Sequence, residues 1–151
     1  MAPNILLIMS DDHAAHAISA YGSRINHTPN IDRLAEGGVR LTNCHVTNSL
    51  CTPARGSILT GQYGHVNGVK TIGDTLDPGH EPQVQKLLGA AGYQTAVIGK
   101  WHLGIRHGGT PAGFDHWEVL PNQGDYFDPV MVTADGDRQH TGYVTDIITD
   151  L

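Results

Sequence analysis

Residues 51–61 read Cys51-Thr52-Pro53-Ala54-Arg55-Gly56-Ser57-Ile58-Leu59-Thr60-Gly61. Elementary rules turn this stretch into the start of a helix. Thr52 suits the N-cap, and Pro53 suits the first helical position, where its missing N–H is no loss. The helix is predicted over residues 52–59. On this reading Cys51 stands just before it, either as a small buried hydrophobe or beside the positive end of the helix dipole. Arg55 follows four residues on, one turn along the same face.

Outward from that stretch, apolar runs alternate with helix signals. Residues 4–9 are apolar and end in Ser10-Asp11-Asp12-His13. That pattern predicts a buried parallel strand with acidic residues at its carboxyl end. Residues 28–37 have Thr28 at the N-cap, Pro29 at the first position and Gly37 as a stop, so they predict a short helix. Residues 39–46 alternate apolar and polar side chains and predict a second strand. Residues 71–82, rich in Asp, Gly and Pro, predict a loop.

Residues 83–91 predict a helix with Val84, Leu87 and Leu88 on its apolar face and Gly92 as its stop. Residues 93–98 predict another buried strand, which delivers Gly99-Lys100-Trp101-His102-Leu103-Gly104 at its carboxyl end. Residues 105–129 read as irregular, and residues 143–151 begin a helix. The alternation argues for an α/β domain with a largely parallel sheet.

Several of these stretches together resemble the type I, formylglycine-dependent sulfatases. The resemblance rests on Cys51, with Pro53, Arg55 and Thr60-Gly61 at their offsets, on residues 4–12, on residues 28–34 and on residues 99–104. It covers roughly the whole chain. It implies the alkaline-phosphatase-like fold, a mostly parallel central sheet sandwiched by helices, with residues 1–151 forming the N-terminal part of a longer catalytic domain. The wording of residues 17–23, 47–50 and 142–146 is most similar to the N-acetylglucosamine-6-sulfatase and mucin-desulfating branch. That implies a sulfated carbohydrate as substrate.

The resemblance also implies roles. Cys51 would be oxidised to formylglycine by a formylglycine-generating or other sulfatase-maturing enzyme. The hydrated aldehyde carries two hydroxyls, one to attack sulfur and one to expel sulfate as the carbonyl re-forms. Asp11, Asp12 and the oxidised Cys51 would bind Ca²⁺, or Mg²⁺ in its place. Arg55, Lys100 and His102 would face the diol and sulfate. In an extended segment Lys100 and His102 point the same way, with Trp101 turned into packing. The remaining metal ligands expected of the family have no counterpart in this chain, which leaves the expected shell incomplete and the isolated chain inactive or marginally folded.

Two rival functions share these residues. Some phosphonate and phosphodiester hydrolases of the same superfamily use the same Cys-x-Pro-x-Arg pattern. A non-catalytic fragment or binding module would retain the motif without the rest of the site.

Composition narrows the classes further. The chain has 151 residues, 39% hydrophobic and 16% charged, which suits a packed domain. Its formal net charge of −6 argues against a general nucleic-acid surface. An anionic substrate must therefore be held by a local cluster of positive charge. Two cysteines, Cys44 and Cys51, do not make a disulfide scaffold, although one bridge between them is geometrically conceivable. The longest apolar run is too short to span a membrane. No signal peptide is visible at the start of the chain. A leader removed earlier would imply a periplasmic or secreted protein, and its absence a cytoplasmic one. The ten histidines show no zinc-site spacing.

Overall fold

A computed structural model describes residues 2–151, which divide into two compact units, one ending at His45 and one spanning Val46–Leu151. In the first unit the predicted helix forms as α1, Pro29–Gly37. Thr28 is its N-cap residue, and its hydroxyl bonds Ser19 and the Asp32 carboxylate. The Ser19 hydroxyl donates to Asp32 at 2.6 Å and holds that carboxyl below its ordinary value. Single turns of 3₁₀ helix at Ala15–Ala17 and Ser19–Tyr21 precede it.

The two strands predicted in this unit, over residues 4–9 and 39–46, do not form. No strand exists among its described residues, so neither run has a ladder partner for its N–H and C=O groups. The run Ile5, Leu6, Leu7, Ile8 is exposed, not buried.

The second unit carries the sheet. Among the described residues it has four strands: β1 Ala96–Lys100, β2 His116–Leu120, β3 Val130–Thr133 and β4 Gly136–Gln139, in that spatial order. β1 and β2 are parallel, with Lys100 beside Leu120. β2–β3 and β3–β4 are antiparallel. The sheet is thus mixed, where a largely parallel one was expected. β3 and β4 are joined through Ala134-Asp135, so they must run antiparallel.

Four further helices form in this unit: α2 Cys51–Thr60, α3 Gly64–Asn67, α4 Val84–Ala90 and α5 Val144–Asp150. Two small cores lie on opposite faces of the sheet. Val119 packs with Val69, Leu76, Trp101, Leu103 and Ile105 on one face. On the other, Leu120 and Met131 pack with Val144, Ile147 and Ile148 of α5. Adjacent β2 residues thus enter different cores, as alternation along a strand requires.

Glu118, which shares a face with Leu120, is fully buried and is held by Arg138 at 2.6 Å and His140 at 2.5 Å. Residues 105–129, read as irregular, therefore contain β2. A buried charge in mid-strand hid it. In α4 the expected apolar face is turned outward. Val84 and Leu87 are exposed, while Gln85 is buried and donates to Gln83 and to the Ala112 carbonyl. No helix among the described residues is long and apolar enough to cross a membrane.

Candidate active site

The stretch around Cys51 folds as a helix, with one correction to its start. Leu50, with extended backbone, is the N-cap residue, and Cys51 is the first residue of α2, not the one before it. Thr52 does not cap. Its hydroxyl donates instead to the Ile72 carbonyl at 3.1 Å. That contact fastens the first turn to the following loop. Pro53 is completely buried.

Other residues of the stretch have visible structural duties. A Cβ at Gly56 would sit 3.1 Å from Val69, so glycine lets α2 lie closely on that core residue. Thr60 hydrogen-bonds back to the Gly56 carbonyl and accepts from Asn67, whose amide oxygen in turn receives the Val69 N–H. Gly61 ends the helix with φ of 67°, a conformation that disfavours other residues. These contacts fix the position of the N-terminal turn and so of Cys51.

The chemistry-bearing groups of this unit gather there. Lys100, the last residue of β1, donates its ammonium to the Cys51 Sγ at 3.5 Å. Arg55, one turn along α2, donates through Nη1 to the Lys100 carbonyl at 2.5 Å. One guanidinium thus ties the helix that carries Cys51 to the strand end that carries Lys100. Two cations lie near the amino end of a ten-residue helix, the positive end of its dipole. Two positive side chains thus lie close together in a chain of formal net charge −6.

His102 is buried, with φ of 54°. The strand has ended at Lys100, so the extended alternation expected for Lys100 and His102 does not reach His102. Trp101 does turn into packing. It is 4% exposed, lies edge-on to Phe114 and donates its indole N–H to the Gly109 carbonyl at 2.6 Å. Gly104 follows with φ of 85°, and a Cβ there would strike Thr75. The 99–104 segment is therefore anchored on both sides of His102.

One polar residue that the motifs did not single out completes this cluster. Gln123, on the turn after β2, accepts a hydrogen bond from the Lys100 ammonium at 2.5 Å. Its only sequence signal was the turn chemistry of Pro121-Asn122-Gln123-Gly124.

Asp11 and Asp12 lie in the first unit, in an exposed turn, and Asp12 has φ of 51°. Paired carboxylates suit a hard dication, which takes roughly six to eight oxygen ligands. Among the described residues no group of three or more His, Cys, Asp or Glu that could hold a metal ion is gathered. Neither cysteine takes part in a disulfide.

The sulfatase family profile matches residues 3–146, and the chain belongs to the sulfatase family. Its fold is the alkaline-phosphatase-like sulfatase fold, by the structures it resembles. It is 46% identical to an N-acetylglucosamine-6-O-sulfatase of Bacteroides thetaiotaomicron over 98% of this chain and 26% of that protein. It is 42% identical to human steryl-sulfatase over 68% of this chain and 19% of the relative. Among solved structures it matches BT4656, in complex with its substrate D-glucosamine-2-N,6-O-disulfate, with a TM-score of 0.93 and 46% identity. That match covers 98% of this chain and 30% of the other. The chain thus spans about a quarter of the length of curated relatives that it matches.

Proposed function

We propose that this chain carries the nucleophile and part of the sulfate-binding group of a sulfuric ester hydrolase acting on a sulfated carbohydrate. N-acetylglucosamine 6-O-sulfate is the first substrate to test. The observation that carries the reading is the Lys100 ammonium 3.5 Å from Cys51 Sγ at the amino end of α2. Support for the substrate comes from the 46% identical N-acetylglucosamine-6-O-sulfatase and from the disulfated glucosamine bound to BT4656.

The working form of Cys51 is formylglycine, made by a sulfatase-maturing enzyme. It supplies a hydrated aldehyde whose two hydroxyls provide attack on sulfur and an exit for sulfate. Lys100 binds a sulfuryl oxygen beside residue 51 and offsets its charge as the ester bond breaks. Arg55 holds the Lys100 backbone in place, which fixes the distance between the ammonium and the nucleophile. The positive end of the α2 dipole favours the same anion. His102, on the adjoining segment, is the second residue facing sulfate. Asp11 and Asp12 would supply carboxylates to Ca²⁺, or Mg²⁺ in its place, an ion that when bound would neutralise charge on the sulfuryl oxygens.

The test is turnover by the matured full protein, with Ca²⁺ present, of N-acetylglucosamine 6-O-sulfate, an aryl sulfate and an aryl phosphodiester. Sulfate release that vanishes in Cys51→Ala is expected, and Cys51→Ser should accumulate a sulfated residue 51. Preference for the phosphodiester would transfer the protein to the hydrolases that share its motif. Unchanged turnover in Cys51→Ala would remove Cys51 from the chemistry.

A further inference from the structure

We infer that Gln123 is a positioning residue for Lys100 and offers a neutral hydrogen-bond donor to the anion beside residue 51. The inference rests on the sulfate-binding reading of Lys100 and extends it to a loop that reading did not include.

Three features place Gln123. Parallel pairing of β1 and β2 sets Lys100 beside Leu120, so the chain leaves β2 next to the ammonium. The next residues make a tight turn. Gly124 N–H bonds the Pro121 carbonyl at 3.1 Å, and Asn122 adopts φ of 54°, which Asn tolerates better than most residues. Gly124 has φ of 73°, and a Cβ there would lie 2.8 Å from Leu120. The turn is thus pressed against the strand residue beside Lys100, with Gln123 presented from it. The third feature is the bond itself, 2.5 Å from Lys100 Nζ to the Gln123 amide oxygen.

The chemistry of the two groups orients the amide. An ammonium only donates, so the amide must present its oxygen to Lys100. Its NH₂ group, with two donors, is therefore turned away from the ammonium. A flexible lysine near an anion loses rotamer freedom when it binds. An acceptor that already holds the ammonium in place reduces that loss and fixes its direction. Gln123 does so without adding negative charge, which a carboxylate at this position would bring against sulfate. The pair Lys100–Gln123 therefore combines one positive donor with two neutral donors, matched to a tetrahedral anion or to an anion and a neighbouring sugar hydroxyl.

The experiment compares wild type with Gln123→Met, which keeps the length and removes the acceptor, and Gln123→Glu, which keeps the acceptor and adds charge. The first readout is the rate at which an amine-acylating reagent labels Lys100, measured by peptide mass spectrometry. It needs no sulfatase activity, so it separates failure of this inference from failure of the proposed function. Faster labelling is expected in Gln123→Met, with wild-type or slower labelling in Gln123→Glu. The second readout is kcat/KM with an aryl sulfate in the matured full protein. A loss of about tenfold is expected in Gln123→Met, the usual weight of a hydrogen bond to a charged group. Gln123→Glu should lose at least as much and be inhibited less by inorganic sulfate. Wild-type labelling of Lys100 in Gln123→Met would overturn the positioning role. Full activity of Gln123→Glu together with unchanged sulfate inhibition would overturn the donor role.

Discussion

Replacing Trp101 tests how the segment that carries Lys100 and His102 is held. Trp101 is 4% exposed, packs with Val69, Leu76, Leu103, Ile105 and Val119, and donates to the buried Gly109 carbonyl. Trp101→Ala removes a large buried side chain, a change that costs about 3–5 kcal/mol. The upper end applies, because the Gly109 carbonyl also loses its donor. Domains are stable by about 5–15 kcal/mol, and this core is small, so the variant should lose most of its stability.

Trp101→Phe keeps the ring and its contact with Phe114 but removes the N–H. Its cost should be about 1–3 kcal/mol, the penalty of leaving a buried carbonyl unsatisfied. The assay is urea unfolding followed by far-ultraviolet circular dichroism, alongside turnover of the matured full protein. Trp101→Phe should remain folded yet lose turnover, because small displacements of positioned groups cost up to about 100-fold. An unfolding free energy for Trp101→Ala within about 1 kcal/mol of wild type would refute the reasoning. Trp101 would then not be the anchor of this segment.

Other outcomes follow from single contacts. Arg55→Ala removes the tie between α2 and the Lys100 carbonyl and should lower kcat/KM, with Arg55→Lys restoring little, because the shorter point charge lacks the guanidinium's fork; steady-state kinetics decide it. Asp74 accepts the Lys70 and Thr71 N–H groups, both at 2.7 Å, which holds its carboxyl below its ordinary value of 3.8. Its contribution to stability is therefore complete above that value and is lost as pH falls below it. Asp74→Asn should flatten the acid side of a pH series of unfolding midpoints. Asp12→Ala should abolish the Ca²⁺ dependence of turnover in the full protein, a loss of several kcal/mol in transition-state stabilisation, and full activity of that variant in a chelator would exclude Asp12 as a ligand.

Local chemistry made the helices legible. Thr28-Pro29 and Gly37 bounded α1, Thr52-Pro53 marked the start of α2 to within a residue, and Gly92 lay just past α4. The family resemblance singled out Cys51, Arg55 and Lys100, and the structure brings them together. Pairing was not legible, because a strand exists only when another chain segment completes its ladder. Residues 4–9 and 39–46 had the right pattern and found no partner among the described residues of their unit. β2 lacked the right pattern, since Glu118 interrupts it, yet it forms at the centre of the sheet because Arg138 and His140 satisfy the carboxylate. The β3–β4 hairpin carried a signal that the motifs overshadowed: Asp135-Gly136 beside a run of β-branched residues. Gln123 was invisible because its partner is set by strand register and not by spacing.

The account stands most directly on the chemical state of residue 51. Mass spectrometry of the peptide containing Cys51 and Arg55, from the protein produced with a sulfatase-maturing enzyme, measures it. The predicted result is the aldehyde, with sulfur replaced by oxygen and two hydrogens lost, and its disappearance in Cys51→Ala. An unmodified thiol in protein that turns over a sulfate ester would contradict the account.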